Sequence, residues 1–416
     1  METYPRARHD LEFFPVHQDG QEFILVRDHL GLSPEGTALG IPLYQFMTLL
    51  DGSRSISDLQ TIFMRQQGGV FVGSEEILGL LNNLDATYLL DSEAFQSAKG
   101  EIVADFTNKR VRPASHSGKS YPDTPVELRA RLNEIMADPV ALPADASFPS
   151  GKIQALVAPH IDLNVGYKSY AQAYGMLQDA TPTRVVVLGM GHQLEEDLFS
   201  LTDKDFETPL GIIKSDGEAV YRLKLAGRGM VAPNDFIHRS EHSIEFQLIF
   251  LQHVLEQKNF TIVPILCGSL QEGLSAYTRQ AFVETAGPFL ETLKGILAEP
   301  GHDTLLVAGV DFSHTGPKFG HEVTARALEN RSREHDQNLL KHLSGMNADH
   351  FWKESERVRD QYHVCGFSAL ACLLEVLPEC RGTVLDYEIW HEAPTQSAVS
   401  FASVVFTNTH PSNSSS

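Results

Sequence analysis

The sequence is short of cysteine and of long apolar runs, and each shortage excludes a class of protein. Its 416 residues include four cysteines, and these lack the regular spacing of the disulfide frameworks found in secreted proteins. No stretch reaches the roughly 18 apolar residues that a membrane helix needs, and the first residues lack the apolar core of a signal peptide. We therefore expect a cytoplasmic protein with reduced cysteines and no membrane partner.

Positive charge is also scarce. The chain has 33 Lys and Arg against 54 Asp and Glu, a formal net charge of -21. Such a surface repels a phosphate backbone, so nucleic acid is not an expected partner. Hydrophobic residues make up 42% of the chain and charged residues 21%, close to the averages of folded proteins, which excludes disorder over most of its length.

Several catalytic motifs are missing. The sequence contains no H-E-x-x-H, no G-x-S-x-G, no Walker loop, no G-x-G-x-x-G after a strand and no paired C-x-x-C. The first two mark zinc peptidases and serine hydrolases, and the others mark nucleotide-binding and zinc-ribbon proteins. All four functions therefore lose support.

Apolar strand-like runs alternate with helical periodicity over most of the chain. The strand-like runs are IQALVAP, RVVVLGM, TIVPILC and DTLLVAGV, and helical stretches such as YKSYAQAYGMLQ and HSIEFQLIFLQHVL lie between them. This alternation predicts a layered α/β domain with a mainly parallel central sheet, which we place at residues 111–408. The runs TVLDYEIW and SAVSFASVVF are expected to be strands that complete it.

The first part of the chain has a different pattern. After the strand-like run FILVRD, residues 1–95 are mostly helical in periodicity and predict a small helical domain. Its phrase LLDGSRSISDLQ, a Gly turn followed by a Ser-capped helix, resembles winged-helix modules that bind peptides; a plain packing or dimerisation domain fits equally well. Polar residues 96–110 are expected to form a linker and residues 409–416 a disordered tail.

Side chains that can bind metals follow three of the predicted strands. His160 ends the run QALVAPH, His192 follows VVVLGMG, and Asp311 and His314 follow LLVAGV. Sheets of this class place their ligands where the strands end. A single histidine in such a position is more often an ordinary loop residue than a ligand. Three in equivalent positions favour a shared site.

Cys365 stands out among the cysteines because it directly precedes the apolar helical stretch GFSALACLLEVL. The N-terminus of a helix favours a thiolate, which can act as a metal ligand or as a nucleophile. The other three cysteines have apolar neighbours and are expected to be small core residues: Cys267, Cys372 and Cys380.

The segment RSEHSIEFQLIFLQHV brings acids and an imidazole onto one predicted helix face. His242 and Glu245 are three residues apart, and Glu241 and Glu245 are four apart. The pattern permits an acid/base role or support of a metal ligand. An alternative of equal weight is an acidic first turn that the helix dipole favours, with Ser240 as the N-cap.

Seven blocks of the sequence, in order, resemble a known family: RPASHSGKSYPDTPVELRARL, APHIDLNVGYKSYAQAYGML, VVVLGMGHQ, EHSIEFQLIFLQHV, VAGVDFSHTG, VCGFSALACLLEVL and SAVSFAS. They are similar to the Memo-like family, bacterial members of which are called AmmeMemoRadiSam system protein B, and they cover about residues 112–407. The family is similar in fold to class III extradiol ring-cleavage dioxygenases, whose non-haem iron is held by two histidines and a carboxylate.

The resemblance implies one metal site with two imidazole ligands and one thiolate ligand: His160, His192 and Cys365. It places four further residues around the same pocket, where we expect them to act in catalysis: His314, His242, Asp311 and Glu245. The sequence departs from the family in two places. PHIDLNVGY replaces the usual P-H-A-G-Y, which alters the shape of the pocket, and Gln193 replaces a second histidine, which removes a hydrogen-bond donor behind the ligands.

Two imidazoles and a thiolate leave coordination positions open for water, dioxygen or substrate. The ligand types permit iron(II), copper or zinc, and the dioxygenase resemblance favours iron(II). The leading hypothesis is a metal-dependent oxidoreductase that acts with O2 on a small-molecule or peptide substrate in the metal cleft. The alternatives are a non-catalytic protein that binds a peptide or partner, with residues 1–95 as docking module, and zinc-dependent hydrolysis.

Overall fold

The structure is a computed structural model that describes residues 4–18, 21–34, 36–66, 68, 72–137, 151–194, 196–256 and 259–408. It divides into two compact units, Met1–Asn108 and Lys109–Ser416. The predicted disordered tail, 409–416, lies outside the described residues.

The N-terminal unit combines a three-stranded antiparallel sheet with four helices. Its elements are β1 (Leu11–Gln18), β2 (Gln21–Asp28), β3 (Ala38–Gly40), α1 (Ile41–Met47), α2 (Ile56–Gln66), α3 (Ser74–Ala86) and α4 (Glu93–Asn108). The sequence predicted a helical unit with one strand-like run, so it missed the other two strands. The predicted Ser-capped helix is α2, where the Ser55 hydroxyl accepts from Asp58 N at 3.2 Å.

The segment predicted as a linker, 96–110, is helical over most of its length and belongs to α4. Ser92 caps this helix by accepting from Phe95 N at 3.2 Å. Phe95 and Phe106 are both 2% exposed, and within the described helix Glu93–Asn108 they are the buried residues. Two apolar anchors eleven positions apart are too sparse to give a visible helical period, which is why the sequence pattern indicated a linker.

The C-terminal unit is built on a large mixed sheet flanked by helices. Its strands are β4 (Val111–Arg112), β5 (Ile153–Ala158), β6 (Arg184–Met190), β7 (Phe199–Leu201), β8 (Asp205–Thr208), β9 (Gly211–Ser215), β10 (Thr261–Cys267), β11 (Thr304–Gly309), β12 (His314–Thr315), β13 (Cys380–Glu392) and β14 (Ser397–Asn408). Its helices are α5 (Pro125–Met136), α6 (Tyr167–Gly175), α7 (Gly217–Ala226), α8 (Ser243–Val254), α9 (Leu270–Gly273), α10 (Arg279–Leu297), α11 (Ala325–Ser344), α12 (Ala348–Val358) and α13 (Phe367–Val376).

The strand order is β12-β14-β5-β11-β6-β10-β9-β8-β4. Its centre is parallel: β11 lies between β5 and β6, and β6 pairs with β10. Every residue of β6 and β11 is buried, as expected for strands covered by helices on both faces, which therefore read as continuous apolar runs. The layered α/β fold with a mainly parallel sheet is confirmed.

The two long C-terminal strands add an antiparallel edge. β14 pairs with β5 on one side and with β13 on the other, both antiparallel. The predicted strands TVLDYEIW and SAVSFASVVF lie within β13 and β14. A membrane-spanning helix is not found among the described residues, since none is both long enough and apolar enough.

Two apolar cores fill the faces of the central sheet. Residues of α6 and α8 pack in one core with Leu156, and residues of α10 and α13 pack in the other with Val186. Because β5, β6 and β11 are neighbouring parallel strands, their carboxyl ends meet at one edge of the sheet. The loops that follow β5, β6 and β11 therefore lie next to one another at this edge.

Candidate metal centre

Three side chains from distant parts of the chain meet at this edge. His160 and His192 each lie two residues beyond the ends of β5 and β6, and Cys365 precedes α13. The Cys365 Sγ lies 3.5 Å from His160 Nε2 and 3.4 Å from His192 Nε2. The three candidate ligand atoms all lie within 4.8 Å of one another. The structure thus brings together the residues that the family resemblance named as ligands.

The ring of His160 is oriented from behind. Its Nδ1 lies 3.0 Å from the carbonyl oxygen of Gly309, so this nitrogen carries the hydrogen and Nε2 faces Cys365. Asp311, 2% exposed, accepts a hydrogen bond from His160 N at 3.0 Å. Its other oxygen lies 3.5 Å from His160 Nε2. Asp311 therefore fixes both the backbone and the charge environment of this candidate ligand.

Glu241 does the same for His192. Its Oε2 lies 2.9 Å from His192 Nδ1 and accepts from His192 N at 3.2 Å, which leaves Nε2 facing Cys365. The other oxygen accepts from His242 N at 2.8 Å and Ser243 N at 2.9 Å. A carboxylate behind a metal-binding imidazole fixes its tautomer and raises its basicity.

The prediction of Ser240 as N-cap of the following helix is wrong. The helix α8 begins at Ser243 and its N-cap residue is His242, whose side chain makes no capping hydrogen bond. The Glu241 carboxylate instead accepts hydrogen bonds from the N–H groups of His242 and Ser243 at the start of the helix. Glu241 therefore lies before the helix rather than one turn from Glu245 on its face.

Cys365 is held through its backbone. Its N–H donates to Phe312 O at 3.1 Å, and the next residue, Gly366, donates to Asp311 O at 2.8 Å. A Cβ on Gly366 would lie 2.5 Å from Val310 Cβ, so only glycine allows this close approach. The loop before α13 is thus docked on the segment that carries Asp311.

The charges of the three side chains depend on one another. Burial opposes ionisation of the Cys365 thiol, but His160 and His192 outweigh it and lower its pKa to about 5. Burial would lower the pKa of His160, yet Asp311 and Cys365 raise it to about 9. The pKa of His192 is likewise raised above its usual range, against burial, by Glu241 and Cys365. When no metal is bound, these shifts favour an ionised thiol beside protonated imidazoles.

These donor atoms fit a transition-metal ion. Tetrahedral bonds of about 2.0 Å to nitrogen and about 2.3 Å to sulfur place the donors roughly 3.5 Å apart, and the observed N···S separations are 3.5 and 3.4 Å. Both imidazoles present Nε2, and the thiol is poised to ionise. Nitrogen and sulfur donors suit zinc, copper or iron rather than magnesium or calcium.

His242 completes a cluster of imidazoles. Its ring stacks on that of His192 at 5.0 Å and meets that of His160 edge-on at 5.1 Å. Burial, together with the charges of His160 and His192, lowers the pKa of His242 to about 3 against the opposing effect of Glu241. Its side chain is 32% exposed. His242 is therefore a neutral imidazole on the open side of the site.

A second group of candidate ligand atoms is formed by His192, Glu241 and His242. The oxygens of Glu241 already accept hydrogen bonds from the backbone of His192, His242 and Ser243. We therefore interpret this group as the hydrogen-bonded support of the first site.

Glu245, expected to act in catalysis, is a buried anchor in the structure. It is 0% exposed and forms an ion pair with Arg112. It also accepts from Ser115 N and Oγ, His116 N and the Tyr121 hydroxyl. Five donors thus bond to the two oxygens of this carboxylate, which favours a structural role; its expected catalytic role stays a prediction. Glu245 ties the segment at 112–121 to α8.

His314 is placed beside the site rather than among the ligand atoms. Its Nδ1 lies 2.9 Å from Phe312 O, its N–H donates to Tyr362 O at 2.8 Å, and its ring packs edge-on against Phe319. Among the described residues, the group of ligand atoms around Cys365 does not include it. Its expected catalytic role stays a prediction.

Sequence reasoning gave no site role to His116 and only a weak one to Glu241. The His116 ring lies edge-on to that of His242 at 5.6 Å, and its Nε2 lies 2.9 Å from Ser240 O. A signal existed, because His116 lies in the first family block and Glu241 directly precedes His242. Neither residue directly follows a predicted strand, however, and the candidate residues were chosen at strand ends.

Comparisons with known proteins match most of the C-terminal unit. A family model described as "Memo-like protein" matches residues 112–405. A MEMO1 family protein of Aquifex aeolicus (strain VF5) is 32% identical over 397 residues, covering 95% of this chain and 99% of the relative. A MEMO1 family protein of Thermus thermophilus is 28% identical and covers 85% and 99%. The solved structure of an uncharacterized protein from Escherichia coli K12 matches 61% of this chain and 99% of its own, with 12% identity and a TM-score of 0.34.

Proposed function

The chain belongs to the Memo-like family, and from this premise we propose that it binds one divalent transition-metal ion at His160, His192 and Cys365 and uses it in an oxidoreductase reaction with O2. The observation that carries the proposal is the convergence of two oriented Nε2 atoms on one thiol whose pKa is about 5. A thiol that only filled space would not be flanked by two fixed imidazoles.

Iron(II) is the favoured ion, with copper or zinc as alternatives. When bound, iron or copper would supply Lewis acidity and a redox partner for dioxygen. The protein supplies the orientation: Gly309 O and Glu241 fix the two imidazole tautomers, and the buried Asp311 holds the backbone of His160.

The open side of the site is where a substrate would bind. The side chains of His192 and His242 are 39% and 32% exposed, whereas His160 is 3% exposed. The neutral His242 imidazole can donate or accept one hydrogen bond to a substrate hydroxyl without adding charge. Its position beside both proposed imidazole ligands suits orientation of the substrate and transfer of a proton.

Elemental analysis of anaerobically purified protein tests the metal site. We expect close to one metal ion per chain in wild type and its loss in the His160→Ala, His192→Ala and Cys365→Ala variants. The matched control is Cys372→Ala, which removes a fully buried thiol seven residues further on. Metal-free wild-type protein with an intact fold would remove the proposal, and so would equal metal loss in the control.

A second experiment tests the reaction class. Iron-loaded wild type should consume O2 in the presence of catecholic compounds, used as a first trial, and Cys365→Ala should not. Hydrolytic activity of zinc-loaded protein that persists under strict exclusion of oxygen would instead favour zinc-dependent hydrolysis. Capture of a partner that needs residues 1–95 but is indifferent to His160→Ala would favour the non-catalytic alternative.

A further inference from the structure

A buried carboxylate lies directly behind the segment that carries Asp311. Asp336 of α11 is 0% exposed. It accepts hydrogen bonds from the hydroxyls of Ser313 at 2.6 Å, Ser400 at 2.6 Å and Tyr387 at 2.8 Å. A buried acid with three hydroxyl donors is costly to desolvate, so its retention calls for a reason.

Two of these hydroxyls belong to residues that clamp one backbone segment. Ser313 N donates to Ser400 Oγ at 2.8 Å, and Ser400 N donates to Ser313 O at 2.9 Å. Phe312 N donates to Ser400 O at 2.8 Å. Asp336 therefore fixes the hydroxyls of a pair that locks residues 311–313 onto β14.

The same three-residue segment holds two of the proposed metal ligands. The Asp311 carboxylate accepts from His160 N at 3.0 Å. The carbonyl oxygens of Phe312 and Asp311 accept from the N–H groups of Cys365 and Gly366 at 3.1 and 2.8 Å. Because His160 and Cys365 are held by different atoms of this segment, a shift or rotation of the segment would change the position of the His160 ring relative to the Cys365 thiol.

We propose that Asp336 is a positioning residue of the metal centre: through Ser313 and Ser400 it fixes the segment that sets the distance between His160 and Cys365. This inference rests on the proposed metal site. Carboxylate suits the task because it is acceptor-only when ionised and can satisfy all three hydroxyls at once. An asparagine would place two N–H donors among hydroxyls that are themselves donors.

Cobalt(II) binding tests the inference, with inorganic cobalt as probe on the full chain. The variants are Asp336→Asn and the milder Ser400→Ala. The control is Glu354→Gln, which alters a buried acid that bonds to His335, the neighbour of Asp336 in α11. Three quantities are measured: the cobalt dissociation constant, the thiolate-to-cobalt charge-transfer band and the midpoint of thermal unfolding.

We expect Asp336→Asn to weaken cobalt binding about tenfold, within the range for groups that support metal ligands, and to shift the charge-transfer band. Ser400→Ala should change both in the same direction by less, and it decides the matter if Asp336→Asn does not fold. Glu354→Gln should lower the unfolding midpoint and leave the band unchanged.

The inference is overturned if Asp336→Asn and Ser400→Ala both keep the wild-type cobalt affinity and charge-transfer band and only their unfolding midpoint falls. Asp336 would then be merely structural. An equal band shift in Glu354→Gln would overturn it too. Wild-type protein that binds no cobalt would refute the metal site itself, and the inference with it.

Discussion

The buried pair of Arg112 and Glu245 offers a direct test of whether Glu245 is an anchor or a catalytic acid. Both side chains are 0% exposed. Glu245→Gln keeps the shape of the side chain but removes its charge, so Arg112 stays buried without a counter-ion. Breaking a buried ion pair from one side costs about 3–5 kcal/mol. Arg112 also donates to the carbonyls of Pro113, His238 and Glu241. Because these hydrogen bonds remain in the variant, we expect a loss of stability at the lower end of that range.

The assay is urea unfolding followed by tryptophan fluorescence. The sequence has two tryptophans, Trp352 and Trp390, and both lie in the C-terminal unit, so the signal reports on the unit that contains the pair. The control is Lys294→Gln, which breaks a pair with Glu291 whose side chains are 41% and 71% exposed. We expect this control to change the free energy of unfolding by about 0–1 kcal/mol.

A loss below about 1 kcal/mol in Glu245→Gln, similar to the surface control, would refute the anchor role. The pH dependence gives a further check. Burial is outweighed by Arg112 and Tyr121, which lower the pKa of Glu245 to about 2. The resulting stability is present above the ordinary pKa of a glutamate and is lost as pH falls toward 2. Wild type should lose this contribution in acid, and the variant has none to lose.

Three further predictions concern the metal centre. The pKa of His160 is raised to about 9 and that of His192 is also raised, so metal binding at pH 7 should release about two protons. Calorimetry in buffers of different ionisation enthalpy measures this release. The affinity for the metal should also fall as pH decreases from 9, and a pH-independent affinity would contradict the prediction. Glu241→Gln should weaken metal binding by about tenfold to a hundredfold in a chelator competition assay, and wild-type affinity would refute its supporting role. Gly366→Ala should displace the Cys365 loop, since its Cβ would meet Val310 at 2.5 Å, and lower metal content; the matched control is Gly287→Ala, where nothing lies within 4 Å.

The sequence predicted the centre of the sheet well because its strands are buried on both faces. Short apolar runs rich in β-branched residues, such as those of β6 and β10, favour strands over helices. It was less informative for the hairpin of β8 and β9, whose exposed and buried positions alternate over four or five residues. It also missed the helix α4, in which two phenylalanines are the main buried side chains.

The candidate site was only partly readable from the residues. His160 and His192 could be placed at one sheet edge because both follow parallel strands. Cys365 follows no strand and lies 205 residues beyond His160, so only the family resemblance joined it to them. The surroundings of Glu245 could not be predicted, because spacing along a helix shows which side chains share a face but does not show that Arg112, 133 residues earlier, lies opposite.

The charges of the candidate site would balance both with and without the proposed metal ion. When no metal is bound, the raised pKa values of His160 and His192 and the lowered pKa values of Cys365 and Glu241 favour two cations beside two anions. A divalent ion on two neutral imidazoles balances the same two anions. Exchange of two protons for one ion would therefore leave the net charge of these four groups unchanged, so the surrounding side chains need not reorganise to accept either state. Loss of the metal from the wild-type protein should consequently leave the fold intact. The His160→Ala and His192→Ala variants each remove one of the two cations, so their unfolding midpoint has to be measured beside their metal content to separate ligation from folding.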